Sequence, residues 1–320
     1  MTTVKPYDAI VVGDANIDLV VAGCEQIPGP GQEVFVPNMT LHVGGGAALF
    51  SLALAKLGLK IAFNGILGED GFGQFIRNQF SLCGIDTRYI RSSTKNNTGI
   101  SIALNPEKDR SFITYAGANS EINLGELDMD SVAAGRHVHL TGYRGSCNHR
   151  EYVETTRKIK ALGLTTSLDV GWDDTGEWYD GIFELMEAVD VFFMNEVEAM
   201  NYTGCASTED CLRALSRHSR HIVLKLGAKG AVASVGGTTT YRSGFPVAVK
   251  DTTGAGDSFN AGYIYGFLSG RGTEQCLLYA NACGAMSVSQ YGGSTGAPDG
   301  PAMERFVAER IGNTTDSISI

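Results

Sequence analysis

Six short apolar runs recur along the chain, each the length of one buried strand. They are Tyr7 to Gly13, Lys60 to Ile66, His137 to Thr141, Thr165 to Val170, Val189 to Met194 and His221 to Leu226. Apolar runs without alternation, bounded by turn residues, read as strands covered on both faces. Helical patterns lie between or after them, at Ala47 to Leu57, Phe72 to Leu82, Arg150 to Leu162, Glu196 to Tyr202 and Thr208 to Arg217, and residues 257 to 268 read as one more helix. Strands alternating with helices imply a mostly parallel sheet with helices on both faces. Two stretches break the rhythm. Ile17 to His42 and Thr98 to Tyr115 are β-rich, with turns at Gly29-Pro30-Gly31 and Pro106-Glu107-Lys108-Asp109. The second reads as a hairpin of Gly99 to Leu104 with Arg110 to Tyr115. A small sheet standing outside the main one can cover a site as a lid.

At 320 residues the chain can bury a large core. Its formal charge of −10 argues against a nucleic-acid or anionic-membrane surface, while leaving room for a local basic pocket. No stretch of about 18 apolar residues is present, so no membrane span is expected. Met1 to Asp8 lacks a basic region followed by an apolar one, so no secretory signal is expected and the protein reads as cytoplasmic. Cys24, Cys83, Cys147, Cys205, Cys211, Cys276 and Cys283 are scattered, odd in number and form no Cys-x-x-Cys. They read as reduced, mostly buried thiols, not as a zinc site.

The densest chemistry lies in Asp251-Thr252-Thr253-Gly254-Ala255-Gly256-Asp257, which runs into an apolar helix. Gly254 to Gly256 then fall just before or in the first helical turn. Unpaired N–H groups and the positive end of the helix dipole face outward there. Glycine lets the backbone approach a ligand closely, which is how a protein builds an anion hole for a phosphate. A carboxylate at the mouth of such a hole is out of place for binding anions alone. Asp257 makes sense as a base that takes a proton from an attacking hydroxyl. The plainer alternative is an Asp at a helix start after a common tight turn. Gly13-Asp14-Ala15-Asn16-Ile17-Asp18 follows the first strand. Carboxylates and amides at a strand end can bind the paired hydroxyls of a polyol, or can serve only as turn residues.

The run Asp251, Thr252, Gly254, Ala255, Gly256, Asp257, Ala261, Gly262 resembles the second signature of the ribokinase-like (PfkB) carbohydrate kinase family. Gly44-Gly45-Gly46 leading into an Ala/Leu helix that ends Leu57-Gly58 resembles the first signature, with one departure: the family's usual Asn falls on Leu49. Asn195-Glu196-Val197-Glu198 resembles the family's Asn-x-x-Glu motif. Lys225-Leu226-Gly227-Ala228-Lys229-Gly230 resembles its strand-end glycine turn. Gly65 to Gly73 and Tyr115 to Asn119 also fit, so the resemblance spans about residues 7 to 300.

The resemblance implies a three-layer α/β/α kinase domain over residues 1–312, a lid from insertions at about 16–42 and 97–117, and a polar tail at 313–320. It implies transfer of the γ-phosphoryl of ATP to a hydroxyl of a sugar or related polyol. Asp257 would be the base, with the N–H groups of Gly254, Ala255 and Gly256 on the moving phosphoryl. Asn16, Asp18, Gly44 and Gly45 would bind the acceptor. Asn195, Lys225, Gly227, Gly230 and Asn281 would bind the nucleotide. Glu198 would help hold Mg2+ through water, and Asp251 and Thr253 resemble the region that holds a monovalent cation such as K+ in some relatives. A homodimer through the lid is implied as well. Leu49 leaves two courses open. It faces the acceptor, in which case ribose is not the preferred substrate, or it points into the packing of its helix. A nucleoside kinase on the same fold and a non-catalytic sugar or nucleotide sensor are the rival readings. A pocket lined by stacking aromatics would favour the nucleoside, and a polar pocket the free sugar.

Overall fold

The computed structural model describes residues 5–23, 28–105 and 111–315. In sequence order the first half comprises β1 (Tyr7–Val12), β2 (Asn16–Ala22), β3 (Asn38–Gly44), α1 (Gly46–Lys56), β4 (Ile61–Asn64), β5 (Ile66–Gly68), α2 (Gly71–Leu82), β6 (Arg91–Ser93), β7 (Gly99–Asn105), β8 (Ser111–Tyr115), α3 (Met129–Ala133) and β9 (Gly135–Leu140). The second half comprises α4 (His149–Ala161), β10 (Thr165–Asp169), α5 (Ile182–Ala188), β11 (Val191–Asn195), α6 (Glu196–Thr203), α7 (Thr208–Leu215), β12 (His221–Lys225), β13 (Ala231–Val235), β14 (Thr238–Arg242), α8 (Ala255–Leu268), α9 (Thr273–Val288) and α10 (Gly300–Thr315). Each of the six apolar runs falls on a strand of the main sheet, with β9 beginning two residues before its run and β11 ending one residue after.

That sheet has eight strands in the order β14-β13-β12-β11-β10-β9-β1-β4. The six strands from β4 to β12 are parallel, and β13 and β14 add an antiparallel edge. Successive strand residues point to opposite faces. Ala9 and Val11 enter one core with α1, α8 and α9, while Ile10 and Val12 enter the other with α4, α5 and α7. The antiparallel edge escaped the sequence reading. Its turn, Gly236-Gly237 with φ of 56° and 87°, is the two-residue loop that joins right-twisted strands.

The second sheet is the expected lid, ordered β3-β2-β7-β8. β2 pairs antiparallel with β3 and parallel with β7, and β7 with β8 forms the hairpin. The turn assigned to residues 106–109 lies outside the described residues. The last helix reaches Thr315, past the point where the tail was expected to begin. No helix among the described residues is long and apolar enough to cross a membrane.

This topology fixes where a ligand sits. Beside β1 the strand order reverses: β4 lies on one side and β9 on the other. In open α/β sheets such a reversal leaves a crevice at the carboxyl ends of the strands. The backbone leaves β1 at Asp14 and enters the lid at Asn16, so the lid hangs over that crevice.

Candidate functional site

Two helix N-termini converge in the crevice. α1 starts after Gly45, whose φ of 94° suits glycine. A Cβ there would lie 2.8 Å from the Asp14 carbonyl oxygen. The Asp14 carboxylate accepts the first free N–H groups of this helix, from Gly46 at 3.0 Å and Ala47 at 3.2 Å, and a third bond from the Thr141 hydroxyl at 3.0 Å. α8 starts after Gly254, in the left-handed conformation with φ of 68°. This start falls two residues earlier than the sequence suggested, so Ala255, Gly256 and Asp257 form the first turn. Asp257 fills the gap between the two helices: a Cβ on Gly46 would stand 3.4 Å from its Oδ1.

The charge around Asp257 is crowded. Burial pushes its pKa well above the ordinary carboxylate range, and Asp169, Asp14 and Asp18 push the same way against the pull of Lys225. Lys225, at the end of β12, lies beside the anion turn, since a Cβ on Gly256 would be 3.4 Å from its Nζ. Its ammonium donates to Asp169 Oδ2 at 2.8 Å. Burial alone would discharge it, but Asp169, Glu198 and Asp257 hold its pKa above the ordinary lysine value. Asn260, one turn after Asp257, donates to the same Asp169 oxygen at 2.5 Å.

Asp18 projects from β2 over the next strand. Gly44 lies directly beneath it, and a Cβ there would overlap its carboxylate. Asn16 Nδ2 donates to Asp18 Oδ1 at 2.9 Å. Burial, helped by Asp14 and Asp251 and opposed by the Asn16 bond, pushes the Asp18 pKa up to about 6. Asn16 and Asp14 also line a cavity of about 860 Å³ that reaches Thr114 and Tyr115 of the lid and Asn119 of the helical turn after it. A smaller cavity of about 330 Å³ joins Asp14 to Gly46, Thr141, Asp169, Trp172 and Asp257. The two share Asp14, Thr141, Gly142, Arg144 and Asp174, so the cavity that Asp257 lines adjoins the larger one.

Asn195 and Glu198 form a reciprocal cap at the start of α6. The Asn195 N–H donates to Glu198 Oε2 at 2.8 Å and its amide to Oε1 at 2.6 Å, while the Glu198 N–H donates to Asn195 Oδ1 at 2.8 Å. Burial raises the Glu198 pKa, Lys225 draws it down and Asp169 adds to the rise. Gly227 and Gly230 stand apart from Asp257, on the β12–β13 turn. Gly230, with φ of 104°, packs so closely on Arg242 and Gly244 that no side chain fits. Asn281 ties α9 to the same segment through the carbonyls of Arg242 at 3.1 Å and Ser243 at 3.2 Å. The sequence-predicted residues therefore fall into a group around Asp257, a group around Asp18 and a third around Arg242.

Asp251 braces the anion turn. It accepts the N–H of Thr253 at 2.8 Å and of Gly292 at 2.9 Å. Gly293 then packs on Gly254, where a Cβ would lie 2.4 Å from the Gly293 carbonyl oxygen. From the far side the Lys56 ammonium donates to the carbonyls of Ser294 at 2.6 Å and Ala297 at 3.3 Å. Leu49 takes the second of its two courses. It is 4% exposed, with its methyl groups against Gly293 and near Thr253, and lines neither of the two cavities. The inference from Leu49 against ribose thereby loses its basis. Asp14, Lys56 and Asp169 were not singled out as site residues from the sequence. For Asp169 a signal existed: a carboxylate ending an apolar strand points into the crevice of a parallel sheet.

Comparison with known proteins agrees with this geometry. A family model described as pfkB family carbohydrate kinase matches residues 8–300. A ribokinase of Arabidopsis thaliana is 29% identical over 301 residues, covering 91% of this chain and 78% of that protein. An ATP-dependent ribose-1-phosphate kinase of Halopiger xanaduensis is 28% identical, covering 93% of this chain and 97% of that one. The solved structure of Arabidopsis thaliana ribokinase complexed with ribose and ATP superposes with a TM-score of 0.82 at 27% identity, covering 94% of this chain and 98% of that one.

Gly254 offers a direct test of the brace. Gly254→Ala adds a left-handed non-glycine residue and a collision with Gly293, so unfolding should become easier by about 1–3 kcal/mol. The anion turn should be lost with it, lowering turnover more than stability. Calorimetry and steady-state kinetics on the purified variant read both. A wild-type melting temperature with wild-type turnover would show that Gly254 carries neither role.

Proposed function

The chain belongs to the pfkB family of carbohydrate kinases and is an ATP-dependent sugar kinase, and from that premise we propose how its residues divide the work. Asp257 takes the proton of the acceptor hydroxyl as that oxygen bonds to the γ-phosphorus of ATP. The bond from the γ-phosphorus to its bridging oxygen breaks, and ADP leaves. The N–H groups of Gly254 and Gly256 and the ammonium of Lys225 face the charge on the moving phosphoryl, and the Ala255 N–H joins them on leaving the Thr252 carbonyl, to which it donates at 3.3 Å. Asp18 and Asn16, with the close backbone of Gly44 and Gly45, hold the acceptor hydroxyls. Gly227, Gly230 and Asn281 form the wall along which the rest of the nucleotide lies.

One observation carries this reading most: Asp257 stands between the N-termini of α1 and α8, in a cavity that opens into the one beneath the lid. The dipoles of the two helices favour its charged form, and burial among carboxylates favours the protonated one. A base poised above the ordinary carboxylate value is suited to accept a hydroxyl proton. The larger cavity favours a sugar over a nucleoside. Its lining is polar, with Tyr115 and Tyr152 the aromatic members among the described residues, and the Tyr152 hydroxyl is spent on the Thr141 carbonyl.

The donor set fits a magnesium ion. Asp169, Glu198 and Asp257 outnumber Lys225, and Asp169 Oδ1 is buried without a hydrogen-bond partner among the described residues. No ready-made cage of three or more such ligands exists among the described residues, and magnesium does not need one, because it keeps waters and binds substrate phosphates. Asp169 and Glu198 would hold its hydrated form, and it would supply charge neutralisation on the triphosphate.

Asp257→Asn keeps the shape and removes the proton acceptor. Turnover should fall by about 10²–10⁴-fold with the fold intact. Because the base works only when ionised, kcat/KM of the native enzyme should decline as pH falls through its raised pKa, well above the ordinary carboxylate value of about 4. The residual activity of Asp257→Asn should lack that limb. Near-normal turnover in the variant would remove Asp257 from the role.

A monovalent cation at Asp251 and Thr253 would brace the same loop that Lys56 already grips through two carbonyls. Carbonyl oxygens accept an ammonium or a potassium ion alike. Replacing KCl by tetramethylammonium chloride should therefore slow Lys56→Met more than the native enzyme. Equal indifference of both proteins to potassium would refute the cation site.

The homodimer through the lid is supported by β8, an open sheet edge where Phe112, Ile113 and Tyr115 are exposed. Sedimentation equilibrium should find a dimer that Ile113→Asp dissociates, and a native monomer would exclude it.

A further inference from the structure

The loop that leaves β10, Val170 to Trp178, has no part in the mechanism above, yet it is built with unusual rigidity beside Asp257. Asp173, only 4% exposed, gathers the loop around its carboxylate. Its Oδ1 accepts the Thr175 N–H at 2.9 Å and the Thr175 hydroxyl at 2.6 Å, and its Oδ2 accepts the Trp178 N–H at 2.6 Å. Glu177 ties the loop to the turn after β9 by accepting from the Ser146 hydroxyl at 2.7 Å. Asp174 does the same through Arg144, at 3.2 and 3.3 Å.

Trp178 has a φ of 48°, unique among the described non-glycine residues in being positive. Such a conformation persists only where its surroundings over-determine it. Here the surroundings are aromatic. Trp178 meets Trp172 edge to face at 5.1 Å and 88°, and Tyr202 at 5.0 Å and 83°. The row ends at Trp172, which is 64% exposed and lines the same cavity as Asp257, Asp14 and Thr141. A strained, hydrogen-bonded loop thus holds a large indole against water. That cavity is otherwise rich in polar side chains: Asp14, Thr141, Arg144, Asp169, Asp174 and Asp257 line it.

One apolar plane facing a polar rim matches a ring-closed sugar. Its C–H face has no hydrogen bonds to lose, and its hydroxyls point sideways to carboxylates, guanidinium and hydroxyl. The nucleotide base is a poor match, because the turn and helix segments around Gly230 and Asn281 lie at the other edge, beyond β12. The smaller cavity sets four carboxylates, Asp14, Asp169, Asp174 and Asp257, against the single guanidinium of Arg144, which disfavours an anionic acceptor there. We propose that the face of Trp172 is a stacking platform for the acceptor, and that the acceptor is an uncharged sugar bound in its ring form, with Arg144 and Asp174 as hydroxyl partners at the rim. This rests on the sugar-kinase reading and names the form of the substrate.

The test compares native enzyme, Trp172→Ala and Trp172→Phe on D-glucose, D-fructose, D-ribose, D-sorbitol and adenosine, with ATP and acceptor varied in turn. A ring sugar should be the best acceptor, ahead of the acyclic polyol D-sorbitol. Trp172→Ala should raise the acceptor KM by about tenfold or more, the loss of about 1.4 kcal/mol of binding, while the KM for ATP stays within about twofold. Trp172→Phe should keep most of the affinity. In native enzyme, saturation-transfer NMR should pass magnetisation from the aromatic protons to one C–H face of the sugar, and Trp172→Ala should weaken that transfer. An unchanged acceptor KM in Trp172→Ala, an equal rise in the KM for ATP, or preference for D-sorbitol or adenosine overturns the platform. If Asp257→Asn still abolishes turnover in that event, the kinase reading stands and only the platform falls. Phosphorylation of none of the panel would overturn the uncharged ring-sugar acceptor and the platform together.

Discussion

The structure depends on bringing several carboxylates together without letting their repulsion open the site. Asp14, Asp18, Asp169 and Asp257 meet at the carboxyl edge of the sheet, and the first three each add to the raised pKa of Asp257. Like charges withdrawn this far from water, Asp169 buried and the other three half-buried, are tolerated only where something answers them. Three things do so here. The N-terminus of α1 gives its free N–H groups to Asp14, the first turn of α8 carries Asp257, and Lys225 is held among Asp169, Glu198 and Asp257. The balance is incomplete, and that incompleteness is useful. It leaves Asp257 with a pKa well above the ordinary carboxylate range and Asp169 Oδ1 without a hydrogen-bond partner among the described residues.

The support beneath this layer is polar where a core of this size would ordinarily be apolar. His139 stacks on Phe50 at 3.7 Å and 13°. Its Nδ1 meets the Ser167 hydroxyl at 2.7 Å, and the same hydroxyl meets His137 Nε2 at 2.7 Å. Burial drives the pKa of His137 down to about 3, so the imidazole stays neutral and can accept as well as donate. Ser167 and Asp169 lie on the same face of β10, two residues apart. The carboxylate that holds Lys225 and Asn260 therefore stands next along the strand face that carries this row. A rigid base matters here because the anion turn works only while its N–H groups point at one place.

What was legible in the sequence follows from which forces act locally. Parallel strands such as β11, buried on both faces, must be apolar throughout, so Val191-Phe192-Phe193-Met194 announced itself. β14, Thr238–Arg242, has no buried residue and left no apolar run to find. α9 is buried on nearly every side, from Cys276 through Cys283, so it lacks the polar stripe by which a surface helix is recognised. In the site, Gly254, Gly256 and Asp257 could be read because turn, dipole and base lie within four residues. Asp169 and Lys225 meet across 56 residues, and Lys56 reaches Ser294 across 238. Sequence spacing carries no trace of such pairs until the fold closes.

Helix α1 shows how one element can serve both ends of a site. Its first turn faces Asp14 and Asp257. Leu49 and Lys56, seven residues apart and so two turns along one face, both reach the loop from Gly293 to Ala297. That loop lies on Gly254, and Asp251 holds its other edge through Gly292. The helix that positions Asp14 therefore also sets the height of the anion turn at the start of α8. An apolar Leu49 is consistent with this duty. An amide at that depth would need a partner, whereas methyl groups against the backbone of Gly293 need only close packing.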